Sequence, residues 1–169
     1  LVIPISLNAD SSSFSGCNKL EKIKFTKGTG QGFDYYYYSS GKSYNRTPWY
    51  FSRNNTITVE FEEGITSIGT YMFSGCTGLK MVNFPTTLTN IGNNAFENCT
   101  SMIGTLSIPD TVTELGSNAF SGCSGITGTL EVPGQISSIK QATCSGCSGI
   151  EKLILKSNIE TLEIHSFTN

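Results

Sequence analysis

Four cysteines recur along the chain at a nearly constant distance: Cys76, Cys99, Cys123 and Cys147 stand 23, 24 and 24 residues apart. Each lies three residues after another recurring position, occupied by Phe73, Phe96, Phe120 and Cys144, and Phe14 with Cys17 fits the same frame. A sequence that repeats itself at this period is built from units too small to bury an apolar face alone, so each unit must stack on its copies. The fullest unit runs Leu106-Ser-Ile108-Pro109-Asp-Thr-Val112-Thr-Glu-Leu115-Gly116-Ser-Asn-Ala119-Phe120-Ser-Gly-Cys123. The preceding unit repeats it as Val82, Phe84, Pro85, Leu88, Ile91, Gly92, Ala95, Phe96 and Cys99. The following one reads Leu130, Val132, Pro133, Ile136, Ile139, Ala142, Cys144 and Cys147. Weaker copies extend the array from Val59, Phe61 and Cys76 on one side and through Leu153, Leu155 and Phe167 on the other. At the start, Leu1, Ile3 and Pro4 form one more unit and lead into Ile23 and Phe25.

Each leading apolar pair alternates as a short strand does, and a following proline ends the strand because it has no N–H to donate. The roughly 20 residues between successive pairs suffice for the crossover that parallel strands require. One parallel sheet is therefore expected, with about seven coils at roughly 4.8 Å each. The Ala-Phe-x-x-Cys block spaces its apolar side chains three apart, which predicts a short helical or 3₁₀ turn on the opposite wall. Residues 1–169 are expected to form a single domain. Its last coil is expected to be cut short, since the next cysteine of the series would fall beyond Asn169.

The L-x-I-P-x-x-V-x-x-L-G-x-x-A-F-x-x-C units, with the joint at 125–130, resemble the BspA-like leucine-rich repeats of bacterial and protist surface proteins. The resemblance covers about residues 1–25 and 59–169. It implies an α/β, β-rich repeat: a right-handed leucine-rich-repeat solenoid with a parallel sheet on one face and short turns opposite. It also implies an extracellular or cell-surface location and a role in adhesion and host interaction. Thr143-Cys144 in place of Ala-Phe, and Met72 in place of Ala, depart from the pattern.

Between about residues 26 and 57 the repeat fails. Nine of the 18 aromatic residues lie between Phe33 and Phe51, where chance would place about two. Tyr35, Tyr36, Tyr37, Tyr38, Tyr44, Trp49 and Tyr50 are candidate binding residues, because such rings give large, stiff, amphipathic contact area. The alternative is that they pack on the solenoid wall. A tyrosine run in a strand would place alternate rings on opposite faces.

The outward positions of the strands form an open face, with Lys22, Lys24, Glu60, Asn83, Ser107, Glu131 and Lys152 as its candidate contact residues. The mixture is weakly charged. Eleven Lys and Arg against thirteen Asp and Glu give a formal charge of -2, without the basic stripe that nucleic acid needs. No apolar run approaches the roughly 20 residues of a membrane helix, and Leu1–Asn8 does not read as a signal peptide.

Catalytic chemistry finds little support. The single His165 has no nucleophile placed to use it. The ladder cysteines read as inward-pointing packing residues, and Cys144-x-x-Cys147 as a local substitution rather than a redox or zinc motif. Glu60, Glu62 and Glu63 offer too few oxygens for calcium. The expectation is a non-enzymatic binding domain without cofactor or metal, whose partner is an extracellular protein or glycan. It should be monomeric unless its exposed repeat ends pair. The alternative is a structural spacer that projects other domains and binds nothing.

Overall fold

The computed structural model describes residues 1–4, 14, 17, 19–27, 54–156 and 159–168. The stretch after residue 54 winds into a parallel-strand solenoid of about five turns. Its front wall, which β1 (Val2–Pro4) and β2 (Lys22–Thr26) extend from before residue 54, is built from β3 (Ile57–Phe61), β5 (Leu79–Asn83), β8 (Gly128–Val132) and β10 (Ile150–Leu155). Order β1-β2-β3-β5 makes one parallel sheet and β8-β10 another. The alternation read from the sequence decides which side chains enter the core: Ile23, Phe25, Val59 and Phe61 point inward and are buried, while Lys22 and Lys24 stay exposed. Strands β2 and β3 are neighbours, with Lys24 opposite Glu60 and Phe25 opposite Phe61, so strands more than 30 residues apart in the chain stand side by side in the sheet. Pro4 lies inside β1 rather than beyond it, as an edge strand permits.

A second ladder runs beside the first. The two-residue strands β4 (Ser67–Ile68), β6 (Asn90–Ile91) and β7 (Glu114–Leu115) form a parallel sheet, and β9 (Ser138–Ile139) pairs with β11 (Thr161–Leu162). These strands carry the second apolar position of each unit. Ile68, Ile91 and Ile139 are fully buried there.

The helical turns expected on the back wall do not form: among the described residues there is no helix. The backbone dihedrals give the reason. Tyr71, Asn94, Asn118, Ala142 and His165, one per coil, have φ between 51° and 59°, and Gly75, Asn98, Gly122 and Gly146 follow four residues later, also with positive φ. Each left-handed residue turns its peptide plane and ends any helical hydrogen-bond series. The N–H groups of Asn94, Phe96 and Asn98 instead point along the solenoid axis, to the carbonyls of Ser117, Ala119 and Ser121 at 2.9, 2.8 and 2.7 Å. The intervening Ala95, Glu97 and Cys99 donate within their own coil to residues three earlier. Alternate donors thus serve the next coil and the local turn. Asn tolerates this conformation best after Gly. Asn118→Gly is expected to stay within about 0.5 kcal/mol of the parent, while Asn118→Val should cost about 1–2 kcal/mol, both read from equilibrium unfolding.

The core is a set of side-chain columns. Phe73, Phe96 and Phe120 stack at 5.4 and 5.3 Å with interplanar angles of 6° and 3°. Beside them, the thiols of Cys99, Cys123 and Cys147 donate to the carbonyls of Phe73, Phe96 and Phe120 in the preceding coil, at 3.2, 3.0 and 3.1 Å. A small apolar side chain that is also a weak donor fits this position. Cys17 departs from the expected inward ladder, for it is exposed. Its carbonyl accepts a hydrogen bond from the Asn55 side chain, while its N–H donates to the Phe14 carbonyl as Cys76 does to Phe73.

One seam differs from the others. Between the coil holding Thr105–Leu115 and the coil holding Gly128–Ile139, neither ladder of strands continues, for β7 does not pair with β9 and β8 pairs only with β10. The back wall stays bonded there, with Asn118, Phe120 and Gly122 donating to Gln141, Thr143 and Ser145.

Candidate interaction surface

The outward side chains of the front wall fall into two rows because the strands stack in register. Lys22, Thr58 and Met81 align in one row, and Lys24, Glu60 and Asn83 in the other. On the second sheet Lys152 stands opposite Thr129, and Ile154 opposite Glu131. The structure therefore gathers Lys22, Lys24, Glu60 and Asn83 on one continuous patch. Glu131 and Lys152 lie on a separate sheet, and Ser107 lies between the two on a segment that is not a strand.

Charges on this wall pair across coils. Lys22 approaches Glu60 at 2.6 Å, diagonal to the aligned neighbour. That hydrogen bond, together with the Lys22 and Lys24 charges, holds the Glu60 carboxyl below its ordinary range. Glu62 accepts the backbone N–H of Lys27, and Glu63 accepts both the N–H and the hydroxyl of Thr86. The three glutamates thus serve three separate partners instead of converging. No group of three or more potential metal ligands occurs among the described residues.

The cysteine positions offer little chemistry. Burial pushes the Cys99 thiol well above its usual value. Cys144 occupies the Phe position at the end of the ring column and is driven up by a hydrogen bond with Cys147 and by burial, while the same contact lowers Cys147. Cys147 nevertheless keeps the thiol-to-carbonyl contact of the other ladder cysteines. His165 is exposed on its turn, where its left-handed backbone matches Asn118 in the earlier coil.

The aromatic candidates Tyr35, Tyr36, Tyr37, Tyr38, Tyr44, Trp49 and Tyr50 lie outside the described residues. Two residues beyond the sequence-based set stand on the front wall: Asp110 and Lys156. The Lys156 ammonium lies 3.3 Å from Asp110 and 2.9 Å from Glu131, which raises its pKa. The signal for this group was a pair of opposite charges about two repeat lengths apart, visible only once the period is used as a ruler.

Comparison with known proteins agrees with this architecture. The sequence profile described as BspA type leucine rich repeat region matches residues 47–169 with six copies. The chain belongs to the BspA-type leucine-rich repeat family. The solved leucine-rich repeat protein of T. pallidum shares its fold, at a TM-score of 0.52 and 18% sequence identity over 85% of this chain and 73% of that one. No curated protein sequence matches. Membership in the BspA-type family suggests a protein-binding role, and leucine-rich repeats of this kind are generally non-enzymatic. Among the described residues, no helix is long and apolar enough to cross a membrane.

Proposed function

We propose that this chain is a non-enzymatic binding domain of a secreted or cell-surface protein, adhering to a host or neighbouring-cell protein or glycan. Proteins with BspA-type repeats are typically surface-exposed or secreted, which supports the location. The observation that carries the reading is the front wall. Its parallel strands hold Lys22, Lys24, Glu60 and Asn83 in two aligned rows on a rigid frame, and solenoid faces of this kind bind extended partners. The aromatic segment, with Tyr36 and Trp49, supplies the anchor residues that binding hot spots favour.

The test is binding of the purified domain to immobilised matrix glycoproteins and to a glycan array. It is run beside a version whose residues 33–51 are replaced by a Gly and Ser linker and beside a Lys22→Glu, Lys24→Glu version. Saturable binding by the parent, lost on replacement and reduced by the charge reversals, is the expected result. Trp49→Ala should abolish the signal while leaving the melting temperature unchanged. A folded domain that binds nothing would replace this reading with that of a spacer.

A further inference from the structure

The segment Thr105–Ile108 matches the strand consensus of the repeat better than any other unit, yet it forms no strand. Among the described residues, no backbone hydrogen bond joins Thr105, Leu106, Ser107 or Ile108 to the coil on either side. The nearest links are Ile103 to Lys80 and Thr127 to Gly104, before the segment begins. Gly104, with φ of 83°, is the last residue in register, bridged to Ile126; Gly128 has the same left-handed backbone at the equivalent position and opens β8, so the break lies in the residues that follow Gly104. The facing strand β8 spends its hydrogen bonds on β10 alone. The front wall is therefore open on both sides of this segment, since β5 pairs only with β3 just as β8 pairs only with β10, and the N–H and C=O groups of the segment and of β8 face each other unpaired in the middle of the array.

A groove of about 330 Å³ occupies this break, within the small end of the size range of ligand sites. Thr105–Asp110 form one wall, Thr129 and Glu131 the other, and Lys156 closes one end. Leu106 and Ile108 stay turned into the core while Thr105, Ser107 and Asp110 face outward. Two carboxylates, Asp110 and Glu131, meet the single ammonium of Lys156. The site keeps an excess of negative charge, and its own lysine already shows where a cation sits.

We infer that this groove docks an extended basic peptide segment of a partner protein. The peptide main chain pairs with the open edge at Thr105–Ile108, as strand addition does elsewhere. A Lys or Arg side chain of the peptide takes the place of Lys156 between Asp110 and Glu131. A peptide fits better than a sugar, because the open groups are main-chain donors and acceptors at strand spacing and no aromatic ring among the described residues lines the groove. The inference rests on the protein-binding reading above and names its partner class.

The experiment titrates the ¹⁵N-labelled domain with a short peptide of alternating lysine and valine, a glutamate-and-valine counterpart, and the lysine peptide N-methylated at alternate amides. The lysine peptide is expected to give saturable shifts centred on Thr105–Asp110, Thr129 and Glu131. Asp110→Asn with Glu131→Gln should weaken it about tenfold, about threefold per exposed charge pair. Lys156→Ala should strengthen it about threefold by removing the competing cation. These are exposed side chains, so melting temperatures should not change. N-methylation should abolish the shifts although the charge is unchanged.

Equal binding of the methylated peptide would overturn the inference by leaving charge attraction alone. Preference for the glutamate peptide, or weaker binding by Lys156→Ala, would overturn it in favour of an anionic partner. Shifts at the same residues from oligosaccharides but not from peptide would make this a glycan site. If the lysine peptide fails while the captured glycoprotein still depends on Lys22 and Lys24, the groove inference falls alone. If neither binds, the wider binding reading falls with it.

Discussion

Phe96→Ala is expected to destabilise the domain by about 3–5 kcal/mol, the range for truncating a fully buried aromatic ring. The ring is enclosed on both sides: Phe73 lies 5.4 Å away and Phe120 5.3 Å away, both nearly parallel to it, and Phe84 meets it edge-on at 5.8 Å. Its removal leaves a cavity whose walls belong to three successive coils. The backbone around it cannot collapse freely, because Phe96 donates to Ala119 and accepts from Cys99 and from the Cys123 thiol. A solenoid's stability is close to a sum of coil and interface contributions. A cavity at an interior interface should therefore uncouple the coils on either side, and the urea transition of Phe96→Ala should broaden as well as shift. An unchanged midpoint would show that the ring column does not hold the array together.

Gly116→Ala should cost about 3 kcal/mol, the upper part of the range for forcing extra atoms into a packed interior. A Cβ at Gly116 would lie 2.4 Å from the Asn93 nitrogen, 2.5 Å from the Gly92 carbonyl carbon and 2.7 Å from the Asn93 Cα. All three are backbone atoms of the adjoining coil, so no side-chain rotation relieves the clash. The coils come this close because Gly116 donates to the Ile91 carbonyl at 2.8 Å. Gly134→Ala is the control. Its nearest neighbour would be the Lys156 carbonyl oxygen at 3.7 Å, an ordinary contact, so the substitution should be neutral or should stabilise by about 0.5 kcal/mol through the unfolded chain. Equal effects of the two substitutions in thermal unfolding would refute the close-approach argument.

Much of the candidate surface was open to sequence reasoning for a simple reason. Strand alternation sends every second residue outward, so once the Leu-x-Ile pairs were aligned, Lys22, Lys24, Glu60 and Asn83 had to share one face. The back wall was misread for an equally physical reason. A three-residue apolar spacing suits a helical turn, but it suits equally a wall whose alternate N–H groups point to the next coil, and only the recurring left-handed Asn and Gly separate the two. The groove at Thr105–Ile108 was hidden because the segment carries the consensus residues without exception. Hydrogen bonding depends on where the neighbouring coils lie, and a unit's own residues do not record that.

By itself, the amino-acid sequence determined the repeat, its period, most of the inward positions and the family, since apolar periodicity dictates what must be buried. Tertiary structure decided how the coils meet: a stacked ring column, thiols bonded to carbonyls of the coil before, a second ladder, and a seam where the front wall opens. These depend on distances between residues more than 20 positions apart along the chain, and such distances are settled only when all the coils pack together at once.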